Sequence, residues 1–296
     1  MRHSRRWRYA GEYVLVRALL GAMDTLPDGV ACALGQRLGR CCYYLDRPRR
    51  RVAIDNILRA GIAPDPGAAA VIARRSFEHF GRSLVEALTL ERRFDPACPA
   101  DNLVEDIHPD TRALFDDPER GLILVSGHVG NWEAAARIVA TRKPVAAIAS
   151  RIKNPRIDRL IHERRPTDQL TLIPKRSTDL GRLLKVIKER QILAMLVDQY
   201  GRDRGALVDF FGVPARTHAS PAMLHLITRA PVCFGACLRE PDGRLRITAP
   251  APLTHPPSGN READVHAILS HLNRHLEDVI RAYPEQYLWA HRRWRD

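Results

Sequence analysis

Gly121-Leu122-Ile123-Leu124-Val125-Ser126-Gly127-His128-Val129-Gly130-Asn131-Trp132-Glu133 carries the reading of the fold. Gly121 to Val125 is a short apolar run of the buried-strand type. His128 follows on a turn flanked by Gly127 and Gly130, where missing side chains let backbone and ligand approach closely. Asn131 is a natural N-cap, and a helical pattern runs from it to Arg142. Glu133 falls in the first helical turn, where the helix dipole favours its negative charge. Strand, turn and helix together put His128 at the carboxyl end of a strand, the place where sites gather in α/β proteins.

Outward from this stretch the same alternation continues. Val145 to Ala149, Ile192 to Val197, Val232 to Cys237 and Leu245 to Thr248 read as strands. Residues 155–165, 178–190 and 261–282 read as helices. Ser220-Pro221 predicts a helix start, with Ser as N-cap and Pro at the first helical position. Before residue 95 the pattern is helical instead. Apolar material lies at 13–23 and 30–45, a helix follows the basic run Arg47-Pro48-Arg49-Arg50-Arg51, and Pro64-Asp65-Pro66-Gly67 makes a turn. Val71, Ile72, Phe77, Phe80, Leu84 and Leu88 then recur at helical spacing from about Gly67 to Leu90. The reading is an α/β protein: a central mixed sheet flanked by helices, preceded by a helical segment. Residues 1–95 form that segment and 96–296 the α/β domain, as one continuous unit.

The 296 residues carry 47 basic and 34 acidic side chains, a net charge of +13, so the chain is drawn to something anionic. Few aromatics interleave with the arginines, which argues against nucleic acid. The six cysteines have neither disulfide-framework nor zinc-site spacing and read as reduced thiols. No apolar run is long enough for a typical transmembrane helix. Arg2, Arg5, Arg6 and Arg8 precede the apolar stretch Tyr13 to Met23, and no small-residue cleavage site follows, which argues against a signal peptide. Arg17, Gly21, Asp24 and Asp28 fall on one narrow helical stripe with apolar residues around it, as in a helix lying at a bilayer interface.

A carboxylate on one imidazole nitrogen raises the basicity of the other, which can then take a proton from a hydroxyl. His128 and Glu133 are close enough for this, and backbone N–H groups at the helix start would hold an oxyanion. No Gly-x-Ser-x-Gly elbow supplies a nucleophile, so the pair would activate the acceptor itself. Spacing alone leaves a second reading level with this one: a capped strand–helix corner with a satisfied histidine. His271 and His275 are four apart but lack a third ligand in sequence, and Gly201-x3-Gly205 lacks the lysine of a phosphate-binding loop. No metal and no cofactor are expected.

Gly127-His128-Val129-Gly130-Asn131-Trp132-Glu133 resembles the H-x4-D/E box of the lipid A biosynthesis acyltransferases, a lauroyl and myristoyl transferase family within the glycerol-phosphate acyltransferase-like superfamily. Further blocks in the same order are similar to that family's: Arg51 to Ile57, Ser76 to Glu86, Ser150 to Asp158, Asp198-Gln199 with Asp209-Phe210-Phe211-Gly212, and Pro284 to Trp294. The resemblance implies acyl transfer from an acyl carrier protein thioester, or from coenzyme A, to a hydroxyl of a lipid A precursor or related phosphoglycolipid. It implies His128 as general base oriented by Glu133. Substrate-binding candidates are Arg151, Arg165 and Arg164 for phosphate, with Asn131 and Asp198. The implied location is the cytoplasmic face of a bacterial inner membrane, with an anchored or peripheral N-terminus and the membrane surface as a partner. Arg17 interrupts the segment where the family has its anchor.

The resemblance leaves other acceptors open, such as phosphatidylinositol mannosides or lysophospholipids. Two readings from other classes also stand beside it: a non-catalytic module binding anionic lipid, and a lipid esterase in which water replaces the acceptor. His291-Arg292-Arg293-Trp294-Arg295 is a candidate headgroup contact, with Trp294 at the interface.

Overall fold

A computed structural model describes residues 2–89, 103–163, 169–175, 179–201 and 205–295. The N-terminal part is helical, as expected: α1 (Arg2–Thr25), α2 (Asp28–Leu45), α3 (Arg47–Arg59) and α4 (Pro66–Leu88). The stripe drawn from Arg17 to Asp28 does not survive as one surface, because the first helix ends at Thr25 and Asp28 opens the second. Helix α3 is capped by Asp46, whose side chain accepts from the Arg49 N–H, and α4 by Asp65, which accepts from Ala68. Helices α2 and α4 touch backbone to backbone: a Cβ on Gly39 would lie 2.1 Å from the Phe77 carbonyl oxygen.

After the helices come β1 (Leu103–Ile107), α5 (Pro109–Asp116), β2 (Leu122–Ser126), α6 (Trp132–Ala140), β3 (Val145–Ala149), α7 (Pro155–Glu163), β4 (Leu170–Pro174), α8 (Leu180–Lys188) and β5 (Ile192–Leu196). A hairpin of β6 (Ala206–Phe210) and β7 (Val213–Thr217) follows, then α9 (Ser220–Thr228), β8 (Val232–Phe234), β9 (Ala236–Arg239), β10 (Leu245–Ala249) and α10 (Arg261–Ala282). The α/β class and the flanking helices hold. The central sheet, ordered β4-β3-β5-β2-β8, is parallel at every pairing. The mixed pairing expected of it lies in a second sheet, β1-β10-β9, where β10 runs parallel to β1 and antiparallel to β9. Gly235 divides the run read as one strand from Val232 to Cys237, so β8 joins the central sheet and β9 the second.

Burial explains the apolar runs. Leu122, Ile123 and Val125 of β2 are fully buried because helices cover both faces of the sheet. Ala53, Ile57, Ala69 and Ala73 from the N-terminal helices share one apolar cluster with Ile123, Val125 and Leu193 of the sheet. The 95/96 boundary falls outside the described residues. Ser220 does not cap α9: Ala219 already holds near-helical dihedrals, and Ser220 is the first helical residue. Among the described residues no helix is long and apolar enough to cross a membrane.

Candidate active site

Strands β2 and β5 are neighbours, and their register pairs Ser126 with Leu196. His128 and Asp198 each lie two residues beyond that pair, so parallel pairing delivers both to the same carboxyl edge. The His128 Nδ1 stands 2.8 Å from Asp198 Oδ1. On the other side of the ring, the Gln199 side-chain amide lies 3.3 Å from Nε2. An ionised carboxylate only accepts and an amide nitrogen only donates. The ring is therefore the Nδ1–H tautomer, with the lone pair on Nε2, the state a general base requires.

Burial disfavours the charged imidazole, but the Asp198 charge and hydrogen bond outweigh it, and His128 is held above the usual imidazole value. Burial likewise pushes the Asp198 carboxyl up, and the His128 charge and hydrogen bonds bring it below its ordinary value. Asp198 is 3% exposed. The buried Tyr287 phenol also hydrogen-bonds it, and the Arg293 guanidinium adds a favourable charge. Arg293 is itself fixed: it donates to the Arg216 carbonyl at 2.7 Å and to the Thr217 hydroxyl at 2.6 Å.

At the imidazole Nδ1, where Glu133 was expected, the structure has Asp198. The hydrogen bond at Nδ1 goes to Asp198, while Glu133 acts on the ring as the weaker charge. Glu133 leaves the turn along α6, whereas Asp198 arrives from the adjacent strand directly behind the ring. Lys175 also faces the imidazole and opposes its charging.

The turn bearing His128 is fastened from several sides. Gly130 N–H donates to the Gln286 carbonyl at 2.9 Å, Asn131 N–H to the Cys237 carbonyl at 2.7 Å, and Leu288 N–H to the His128 carbonyl at 3.0 Å. Two N–H groups expected to hold an oxyanion are thus already occupied. His79, on α4, donates through Nε2 to the Gly130 carbonyl at 3.1 Å; burial lowers its pKa to about 4, so it is neutral near pH 7. Buried Glu86, also on α4, accepts from Arg82 at 2.8 Å, from Asn131 at 3.3 Å and from Arg239. The Trp132 ring packs edge-on against His128 with centroids 5.1 Å apart.

A cavity of about 490 Å³ opens at His128. Its polar end carries Glu133, Arg151, Lys175 and Gln199. Away from them it runs over the sheet face covered by α6, between Ala135, Val139, Ala147, Ala194, Leu124 and Phe115. A polar mouth with an apolar interior suits a molecule having a reactive head and a hydrocarbon tail.

His128, Glu133, Asp198 and Arg151 are therefore brought to one place, the last two just beyond the ends of β5 and β3. Asn131, expected to bind substrate, has its side chain turned inward. Its Oδ1 accepts from the Ala134 N–H at 3.0 Å, its Nδ2 donates to Glu86, and it is 3% exposed. Arg164 and Arg165 lie outside the described residues. The C-terminal block divides: Arg293 and Trp294 are buried and cannot meet headgroups, whereas Arg292 and Arg295 are exposed. His271 and His275 meet through Nε2 atoms 3.0 Å apart, and among the described residues no group of three metal-binding side chains forms. The described cysteines are free thiols. Sequence reasoning missed Gln199, Tyr287, Arg293 and Lys175 as site residues. The first three sit in blocks already singled out, but only proximity to His128 reveals their part.

Over residues 1–296 the chain matches the family described as bacterial lipid A biosynthesis acyltransferase. It is 28% identical to the lipid A biosynthesis lauroyltransferase of Escherichia coli, across 91% of this chain and 87% of that one. It is 25% identical to a lipid A biosynthesis acyltransferase of Haemophilus influenzae, across 91% and 86%. It is 26% identical to the phosphatidylinositol mannoside acyltransferase of Mycolicibacterium smegmatis, across 97% and 90%.

Proposed function

The chain belongs to the bacterial lipid A biosynthesis acyltransferase family, and from that membership we propose that it moves a fatty acyl chain from an acyl carrier protein thioester to a hydroxyl of a lipid A precursor or related phosphoglycolipid. It is an O-acyltransferase that acts on a lipid. The observation that carries the finer reading is the 2.8 Å contact of His128 Nδ1 with Asp198 beside an apolar cavity.

In this reading the acyl chain lies in the cavity and the acceptor hydroxyl displaces the Gln199 amide from Nε2. Nε2 takes the hydroxyl proton as the oxygen attacks the thioester carbonyl carbon. Asp198 stabilises the imidazolium that forms. The carbon–sulfur bond then breaks, and the departing thiolate takes the proton back from Nε2. Gln199, freed from the ring, donates to the developing oxyanion. Glu133 adds a second negative charge near the imidazolium. Arg151 and Lys175 hold an acceptor phosphate, with Arg164 and Arg165 as further candidates.

We place the enzyme on the cytoplasmic face of the inner membrane through α1. Trp7, Val14 and Leu15 are 77%, 64% and 62% exposed and share one helical stripe, which is the pattern of an interfacial helix. The match to the mycobacterial enzyme supports a second acceptor class, phosphatidylinositol mannosides, for the same chemistry.

Membranes supplied with labelled acyl carrier protein and a lipid A precursor test the reading. Acyl transfer that disappears in His128→Ala supports it. Free fatty acid as the sole product would make the chain a hydrolase, and transfer to a phosphatidylinositol mannoside alone would select the second acceptor. Replacing Val14 and Leu15 by Asp should reduce co-sedimentation with anionic vesicles; unchanged binding would remove α1 from the membrane contact.

A further inference from the structure

A second cleft, of about 360 Å³, lies between the first turn of α3 and the segment 288–295. It shares no lining residue with the catalytic cavity. Pro48, Arg49, Leu288, His291, Arg292 and Arg295 line it. Among the described residues, no carboxylate pairs with Arg292 or Arg295. Arg295 instead lies over the Tyr200 ring, 4.8 Å from its centroid. Arg49 meets Asp46 at 3.4 Å in an exposed pair, which holds the guanidinium only weakly. His291 Nε2 accepts from the Tyr200 N–H at 3.2 Å, leaving Nδ1–H as the ring's donor.

The cleft is built into the fold. The Asn56 amide donates to the carbonyls of Trp289 and His291 at 2.8 and 2.6 Å, tying the segment to α3. It is also coupled to the catalytic turn, because the Leu288 N–H is bonded to the His128 carbonyl and Tyr200 adjoins Gln199. Three arginines and a histidine lining one concavity are side-chain types suited to a phosphate, whose oxygens accept several charge-assisted bonds at once.

The surroundings indicate where that phosphate comes from. Tyr44 and Leu45, at the end of α2 just before the basic run Arg47 to Arg51, are 56% and 82% exposed. Large apolar side chains beside arginines are the arrangement of a lipid interface, with tips in hydrocarbon and guanidinium groups at phosphate depth. We propose that the cleft of Arg49, His291, Arg292 and Arg295 binds the phosphate of a lipid headgroup, as a site separate from the catalytic cavity. The cleft binds this lipid whether or not the chain transfers an acyl group as proposed above.

Calorimetric titration of the full chain with dihexanoyl phosphatidic acid, dihexanoyl phosphatidylcholine and inorganic phosphate tests this without turnover. The phosphatidic acid should bind at least about tenfold more tightly than the other two. Arg292→Glu combined with Arg295→Glu should remove one phosphatidic acid site per chain, while Arg151→Glu leaves that site in place. The paired Lys substitutions, which keep the charge, should retain it. Undiminished binding in the Glu double variant overturns the proposal. Inorganic phosphate binding there as tightly as the lipid overturns the headgroup as its source. A raised KM for the acyl carrier protein with lipid binding intact assigns the cleft to the donor and also overturns it. An intact lipid site in a wild-type chain that transfers no acyl group fails the acyl-transfer reading alone.

Discussion

Asp198 accepts the Nδ1–H of His128 at 2.8 Å from a position 70 residues away, because the strands that end before them are hydrogen-bonded neighbours. The carboxylate that governs the base thus comes from a different strand–loop unit. Asp198→Asn keeps the shape but permits the wrong tautomer, since its amide can donate to Nδ1. It should lower kcat by about 10²–10⁴ with a much smaller change in KM. Glu133→Gln should cost less. Steady-state rates of the two variants decide which carboxylate serves the histidine.

The pH profile carries the same information. A base works only when unprotonated, and Asp198 holds His128 above the ordinary imidazole value. The acid limb of kcat/KM should therefore lie above pH 6.5, with activity falling as pH drops through it. In Asp198→Asn the stabilising charge is gone while burial still opposes protonation, so the limb should move to lower pH. A limb that stays in place would show that another group titrates.

Gly130 tests the backbone of the catalytic turn. Its φ is +62°, and a Cβ there would sit 1.9 Å from the Cys237 carbonyl oxygen. Gly130→Ala meets left-handed strain of about 1–2 kcal/mol before that clash is counted. Loss of activity together with a clear drop in urea midpoint is expected. At Gly127 an added Cβ meets the end of the Leu276 side chain at 2.7 Å and the Asp198 Cβ at 3.5 Å, but no backbone, so Gly127→Ala should be the milder change.

Glu86 joins the N-terminal helices to the site. It is buried and bonded to Arg82, Arg239 and Asn131. Glu86→Ala leaves the part-buried Arg239, 12% exposed, uncompensated, and breaking a buried pair on one side costs at most about 3–5 kcal/mol. Chemical denaturation should show that loss, and Glu86→Gln, which retains an acceptor, should recover part of it.

The apolar end of the cavity should select chain length. Ala147 and Ala194 line it on neighbouring strands. Replacing either by Leu fills space an acyl tail would take, so preference should shift to shorter acyl donors. Competition between donors of different length measures the shift directly, and an unchanged preference would place the tail elsewhere.

Much of the framework is local and was readable from the chain. Leu122 to Ser126, Val145 to Ala149 and Arg261 to Ala282 follow from apolar runs, caps and helical spacing, which act over a few residues. His128 was legible for the same reason: its flanking glycines and following helix define a turn at a strand end. The hairpin Ala206–Thr217 carries no strand signal in sequence, since its short segments alternate weakly and, among the described residues, pair with each other alone. The partners of His128 were less legible still. Asp198 and Gln199 reach it through strand order, Tyr287 meets Asp198 through the return of the C-terminal segment, and the Asn131 side chain points inward to Glu86. Local propensity determines where a chain bends and which residue stands at the bend. Which side chain then meets it depends on parallel pairing across crossovers and on packing between distant segments, interactions that exist only once the core has formed.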